Sequence, residues 1–246
     1  MGMAEDVESK MSKFKNEFFA EAEKQVMEFF PNKVTELDEM SKGEMFSMST
    51  MSKISVKLNI PVPDPVLINS HEVNPPLKKR KVDENDSIQG TKVLGLPEGS
   101  VPCNHHILAM VATLKPSICT LIDKCNLIKM WVQLSIPKIE DGNNFGVSVQ
   151  EDTLSEIRQV ESEAASYLDQ VSRYYITRGK IVSKVAKYPH VEDYRQTITE
   201  LDEKEFISLR LVLLELRNHY SSLYDLITKN LEKIKKPRGS NTDSMY

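Results

Sequence analysis

Cys103, His105 and His106 are three side chains of metal-ligating type lying close together, and Glu140 beside Asp141 offers the paired carboxylates that acid–base chemistry uses. Neither set is completed. A closed zinc site needs four ligands, and no C-x-x-C pair or spaced histidine pair supplies the remainder. Ser148 lacks the G-x-S-x-G setting of a nucleophile elbow, and the chain has no P-loop, no H-E-x-x-H and no nucleotide fingerprint. Glu140 and Asp141 therefore read better as loop solubility or docking contacts than as acid and base. The expectation is a non-enzyme without metal or cofactor.

The stretch that holds Glu140, Asp141 and Ser148 is the most informative in the chain: Pro137 to Asp152, P-K-I-E-D-G-N-N-F-G-V-S-V-Q-E-D. It stops one helical pattern and starts another. Upstream, apolar residues recur at helical spacing as far as Ile136; Pro137 has no N–H to donate, and Gly142 and Gly146 tolerate positive φ. Downstream, Ser148 and Glu151 have the spacing of a capping box, so a helix is expected to begin at about Val149. The bland reading is an interhelical turn, but the loop exceeds the usual minimum. Asn143, Asn144 and Phe145 between two glycines make a polar tip with one exposed aromatic, suited to contact.

Four long helices are predicted around this loop. Helix one, from about Asp6 to Met40, carries Phe14, Phe18, Ala22, Val26, Phe29, Leu37 and Met40 on one face, with a kink or short break near Phe30 caused by Pro31. Helix two has the cleanest period: Ile107, Val111, Leu114, Ile118, Leu121, Cys125, Ile128, Val132 and Ser135 step by four and three, giving a rod of roughly 45 Å that Pro116 should bend rather than end. Cys119 and Cys125 read as small core residues on it. Helix three, Val149 to about Lys187, has the seam Leu154, Ile157, Glu161, Ala164, Leu168, Val171, Tyr175, Arg178, Val182 and Val185. Its two charged members must pair with neighbouring helices or face a subunit boundary or channel. Pro189 is placed in the first turn of helix four, which presents Tyr194, Ile198, Leu201, Leu209, Leu213, Leu216, Tyr220, Leu223, Ile227 and Ile234 before Pro237 and Gly239 stop it. Arg238 to Tyr246 is a polar tail.

The helical period disappears between Lys42 and Pro102, where seven of the twelve prolines fall. A loop this long signals function or disorder. Inside it, Lys78, Lys79, Arg80 and Lys81 form an isolated basic run flanked by prolines, which reads either as solvated surface or as a nuclear-import signal. The organisation is thus one bundle domain: helix one in 1–41, an insert over 42–102, and helices two to four with loop and tail over 103–246.

Composition excludes several classes. The 246 residues, 40% of them hydrophobic, can bury a sizeable core, while a formal net charge of −4 gives no support to general nucleic-acid or membrane-surface binding. No run of about 18 apolar residues stands out, the start does not resemble a signal peptide, and three irregularly spaced cysteines suit a reducing compartment. The cytosol or nucleus is expected.

The sequence K-I-E-D-G-N-N-F-G-V-S-V-Q-E resembles the activation loop of the 11S proteasome activators, the REG family. The likeness continues through E-S-E-A-A-S-Y-L-D-Q-V-S-R-Y-Y-I-T-R and K-Y-P-H-V-E-D-Y-R to Tyr246, weakens between Lys42 and Asn104, and is nearest to the gamma type. It implies an all-α, antiparallel four-helix bundle assembling as a seven-subunit ring that caps the 20S proteasome alpha-subunit ring and opens its gate without ATP or ubiquitin. Ile139, Glu140, Asp141, Gly142, Asn143, Asn144, Phe145, Gly146 and Val147 would be the activation loop, with Asn143 to Gly146 central. Thr242, Asp243, Ser244, Met245 and Tyr246 would be the proteasome-binding tail. The gamma type is a nuclear homoheptamer, which fits recognition of Lys78 to Lys81 by a nuclear import receptor, with some protein in the cytoplasm. The competing reading is a helical nuclear scaffold with no proteasome partner.

Alternation of helix direction makes a geometric expectation independent of that likeness. The end of helix two, the Pro137–Val147 loop, the start of helix three and the end of helix four should share one end of the bundle, with the insert at the other.

Overall fold

The computed structural model describes residues 2–63, 99–138 and 144–238, with side chains from residue 8 onward. Helices form where the apolar period predicts them. α1 (Gly2–Lys24) passes through a π-helical turn, Gln25–Phe29, into α2 (Phe30–Lys42). Two 3-10 turns, Glu44–Phe46 and Met48–Lys53, precede α3 (His105–Ser135), α4 (Phe145–Lys187) and α5 (Glu192–Lys235). No strand occurs among the described residues.

Cross-helix pairs fix the directions. Glu23 meets Lys235 and Asp38 meets Arg217; Lys129 meets Glu161; Gln150 meets Ile234 and Tyr167 meets Glu215. In each helix pair the numbers rise on one member as they fall on the other, so α1 with α2, α3, α4 and α5 form the expected antiparallel four-helix bundle.

The π turn is a consequence of Pro31, which has no N–H for the carbonyl four residues back, so the turn ahead of it widens. The helix changes register where a break was expected, without ending. The buried stripe consequently passes through Ala22, Val26, Phe30 and Leu37, with Phe29 only partly covered, and Phe30 stands edge-on to Tyr220 at 4.9 Å between centroids. Phe14 departs from the expected core face. It is 53% exposed, because the described residues from Glu8 to Glu17 are exposed all round and this end of α1 stands clear of the other helices.

α3 lies at the centre. Ile107, Val111, Leu114, Ile118, Leu121, Cys125, Ile128 and Val132 are all buried, and the helix continues through Pro116, whose carbonyl accepts a hydrogen bond from the Thr120 hydroxyl at 2.8 Å. By length and composition it is apolar enough to cross a membrane, with mean hydropathy 1.3 over its most apolar window, although Lys115, Asp123, Lys124 and Lys129 interrupt any unbroken apolar run. Its apolar stripe belongs to the bundle core. Cys125 is in that core, and burial, reinforced by the charge of Glu161 and opposed by Lys129, pushes its thiol up to about 12. Cys119 was expected beside it but is exposed, since it follows Ile118 and falls off the stripe.

Both charged interruptions of the α4 seam are paired within the chain and so give no sign of a subunit boundary. Lys129 Nζ donates to the two Glu161 carboxylate oxygens at 2.8 and 2.6 Å. Arg178 Nε donates to Asp202 Oδ1 at 2.9 Å, the Tyr174 hydroxyl donates to the same oxygen at 2.8 Å, and Asn104 Nδ2 donates to Asp202 Oδ2 at 2.8 Å. Asn104 also caps α3, accepting from the N–H groups of His106 and Ile107 through its Oδ1.

The first third of the predicted insert is part of the fold. Phe46, Ile54 and Ile60 are buried, held by hydrogen bonds from Arg210 to the Phe46 carbonyl, from Asn104 to that of Ile54 and from Arg195 to that of Ile60. Residues 64–98, with Lys78, Lys79, Arg80 and Lys81, lie outside the described residues. α5 starts at Glu192 rather than at Pro189, which sits in the turn after Tyr188, and Glu192 and Asp193 occupy its first turn as expected.

Two outcomes are expected from the Asp202 cluster. Asp202→Ala strands the buried Arg178 guanidinium and should cost about 3–5 kcal/mol in chemical denaturation; a loss under about 1 kcal/mol would show the pair to be dispensable. Glu205, one turn further along α5, is buried with Oε1 accepting no hydrogen bond. Burial raises its pKa from 4.5 to about 7, with Asp202 adding to the shift and Lys204 opposing it. Because the folded value is the higher one, the native state binds more protons than the unfolded chain, and the stability present below pH 4.5 is lost as pH rises through about 7. The shift corresponds to roughly 3 kcal/mol. Glu205→Gln should melt higher than the parent at pH 8 and flatten the dependence between pH 5 and 8; equal slopes in thermal melts of the two proteins would refute this.

Candidate functional site

The end of α3, the start of α4 and the end of α5 converge at one end of the bundle, as alternation of direction requires. α3 closes at Ser135, after which Ile136 is extended. α4 begins at Phe145 with Asn144 as its N-cap residue, one turn earlier than the Ser148–Glu151 capping box predicts. Ser148 already lies inside the helix: its N–H donates to the Asn144 carbonyl at 3.0 Å and its hydroxyl points to the same oxygen at 3.5 Å. A serine so engaged cannot cap.

Gly146 is a glycine for a different reason from the one expected. Among the described residues the only positive φ is at Gly99, and Gly146 is buried in the first turn of α4. A Cβ built there would stand 2.0 Å from the carbonyl oxygen of Pro237 and 2.6 Å from its Cα. What Gly146 permits is close approach of two backbones, the loop end of α4 and the segment that follows α5.

Two side chains fasten the convergence. Gln150, fully buried, donates through Nε2 to the carbonyl of Ser135 at 3.0 Å and to that of Ile234 at 2.8 Å. Both acceptors belong to the last turns of helices, whose carbonyls have no partner within the helix. Arg238 donates from Nη1 to the Lys138 carbonyl and from Nη2 to Asn144 Oδ1, each at 3.0 Å. Its guanidinium thus bridges the residue that enters the loop and the residue that leaves it.

Of the residues expected to act, Asn144, Phe145, Gly146 and Val147 are brought to this end, with Phe145 69% exposed. Ile139, Glu140, Asp141, Gly142 and Asn143, and the tail residues Thr242, Asp243, Ser244, Met245 and Tyr246, lie outside the described residues. Sequence reasoning missed Gln150, Pro237 and Arg238 as site residues. Gln150 did leave a signal, a polar residue one turn before Leu154 on the apolar stripe; Arg238 left none beyond its place after Pro237. Among the described residues no group of three or more His, Cys, Asp or Glu is arranged to hold a metal ion.

Comparison with known proteins agrees with this architecture. Family models described as proteasome activator PA28, N-terminal, and proteasome activator PA28, C-terminal, match residues 5–65 and 100–244. The human protein named proteasome activator complex subunit 3 is 54% identical over 98% of this chain and 97% of its own length. The chicken protein of the same name is 55% identical over 98% and 96%. A crystal structure of the 11S subunit of the Plasmodium falciparum proteasome, PA28, superposes with a TM-score of 0.74 at 30% identity and covers 95% of both chains. A further structure, an archaeal 20S proteasome in complex with mutated P26 activator, shares the fold at TM-score 0.53 and 16% identity over 59% of this chain and 73% of the other. With both family models matched in chain order and more than half of its residues shared with subunit 3 relatives along almost the full length, this chain belongs to the PA28 family of proteasome activators, which are regulators and not catalysts.

Proposed function

We propose that the chain is the subunit of a homoheptameric ring that caps the alpha-subunit ring of the 20S proteasome and opens its gate, stimulating peptide and protein hydrolysis without ATP or ubiquitin. One observation carries the reading. Gln150, Gly146 and Arg238 hold Lys138 and Asn144, on either side of residues 139–143, together with the segment after α5 at one end of the bundle, which supports a reading in which an element that docks and an element that reshapes the gate work side by side. Each tail contact need only be weak, because linking the subunits in a ring multiplies their avidity. In this role the tail, Thr242 to Tyr246, binds and the loop, centred on Asn143 to Gly146, opens.

Hydrolysis of fluorogenic peptides by latent 20S proteasome tests this directly. The parent chain should stimulate it and sediment as a ring. Deleting Thr242 to Tyr246 should abolish association with the 20S particle, whereas Asn144→Tyr should bind and fail to stimulate. Gly146→Ser should impair both, since its side chain meets the Pro237 backbone. Normal activation by Asn144→Tyr, or normal binding by the tail deletion, would refute the division of labour.

The second part of the proposal is that Lys78, Lys79, Arg80 and Lys81 are read by a nuclear import receptor, placing the protein in the nucleus with a cytoplasmic fraction. Its support is the isolation of the basic run in an acidic chain. Changing all four to alanine should move a fluorescent fusion to the cytoplasm and alter stability by no more than about 0.5 kcal/mol. Undiminished nuclear accumulation would remove the claim.

A further inference from the structure

Asn144 is the N-cap residue of α4, yet its side chain does not cap. Asparagine is among the best N-cap residues because its side-chain oxygen accepts from one of the orphan N–H groups of the first turn, a contact worth about 1 kcal/mol. Here that oxygen instead accepts from Arg238 Nη2 at 3.0 Å. The other arm of the same guanidinium donates to the Lys138 carbonyl at 3.0 Å. Lys138 and Asn144 are the last and first described residues on either side of the loop, so one rigid planar group fixes their separation. Arginine is suited to this: its fork presents two parallel donors at fixed spacing, which the single point charge of lysine cannot.

The same guanidinium belongs to the segment that leads into the tail. Pro237, its neighbour, is buried against the backbone of Gly146, and α5 up to Ile234 is tied to α4 by Gln150. The chain between Ile234 and Arg238 is therefore anchored at both ends, and Arg238 joins the segment after α5 to the residues on either side of the loop. We propose that Arg238 is a positioning residue for gate opening: it holds the two ends of the activation loop in register and couples loop shape to tail engagement. The inference rests on the activator reading above and adds to it a residue that belongs neither to the loop nor to the proteasome-binding stretch Thr242 to Tyr246.

A role in positioning and a role in docking separate in titration. The full-length parent, Arg238→Ala, Arg238→Lys, Asn144→Ala, Asn144→Asp and the Asn144→Ala/Arg238→Ala double variant are each titrated into latent 20S proteasome with a fluorogenic peptide. Two quantities are read: the half-saturating concentration and the maximal rate. Arg238→Ala should lower the maximal rate about tenfold, the equivalent of one charge-assisted hydrogen bond, and leave the half-saturating concentration within about twofold of the parent's. Asn144→Ala should do the same, and the double variant should be no worse than either single one, because both remove one contact. Asn144→Asp, whose carboxylate still accepts from the guanidinium, should exceed Asn144→Ala in maximal rate, while Arg238→Lys should fall between parent and alanine. If Arg238→Ala does not assemble into the parent's ring by light scattering, Arg238→Lys carries the test, since it keeps the stem and charge and removes only the fork; a parental maximal rate for it then overturns the proposal. A parental maximal rate for Arg238→Ala overturns the proposal, as does a raised half-saturating concentration with an unchanged maximum, or additive loss in the double variant. A parent that does not stimulate at all overturns the activator reading and this inference with it; a parent that stimulates alongside an unaffected Arg238→Ala overturns only the inference.

Discussion

A helix that ends against its neighbours leaves its last carbonyls facing protein instead of water, and in this bundle two helices end at the same place. The Gln150 carboxamide resolves both. Its two N–H groups serve Ser135 at the close of α3 and Ile234 in the last turn of α5, and a buried carbonyl left unserved costs about 1–3 kcal/mol. The requirement is geometric as well as energetic, because one planar group reaches both acceptors only if the two helix ends lie at fixed separation on either side of α4. The contact of Gly146 with Pro237 and the bridge from Arg238 both depend on that separation.

The opposite pole is closed by charge rather than by neutral hydrogen bonds. Asp202 gathers Arg178, Tyr174 and Asn104, and Asn104 in turn caps α3 and holds the Ile54 carbonyl of the segment after α2. One carboxylate therefore joins α3, α4, α5 and the first part of the insert. Such a site is sensitive to loss of a single partner, since a buried unpaired charge costs more than the pair gains. Tyr174 shows the same environment: burial first, then the Asp202 charge and hydrogen bond, drive its pKa well above the ordinary phenol value.

How much of this was legible depended on whether a residue's role repeats. The α3 seam was read residue by residue because apolar burial recurs every three or four positions, and the buried residues from Ile107 to Val132 follow that rhythm. Phe30 was misassigned to its neighbour Phe29 because the π turn adds a residue to the turn, and period counting cannot detect that shift. Phe46, Ile54 and Ile60 were hidden because they are buried singly from irregular backbone, held by side chains remote in sequence. At the candidate site the capping box was a local pattern overruled by tertiary contact: α4 begins a turn early where Asn144 meets Arg238, so Ser148 falls within the helix. Gly146 was singled out for backbone torsion, whereas what requires a glycine there is the backbone of Pro237, remote in the chain.

The contrast between the two poles bears on how the molecule responds to its surroundings. At the pole of Asp202 the buried groups include Glu205, raised to about 7, so a change near neutrality alters the charge held within the bundle there. At the loop pole the described fasteners are a carboxamide, backbone carbonyls, a glycine, a proline and a guanidinium. Proton uptake at Glu205 thus shifts the stability of the bundle as a whole from the pole away from the loop, whereas the described residues beside the loop are fastened by amide and guanidinium donors to oxygen acceptors.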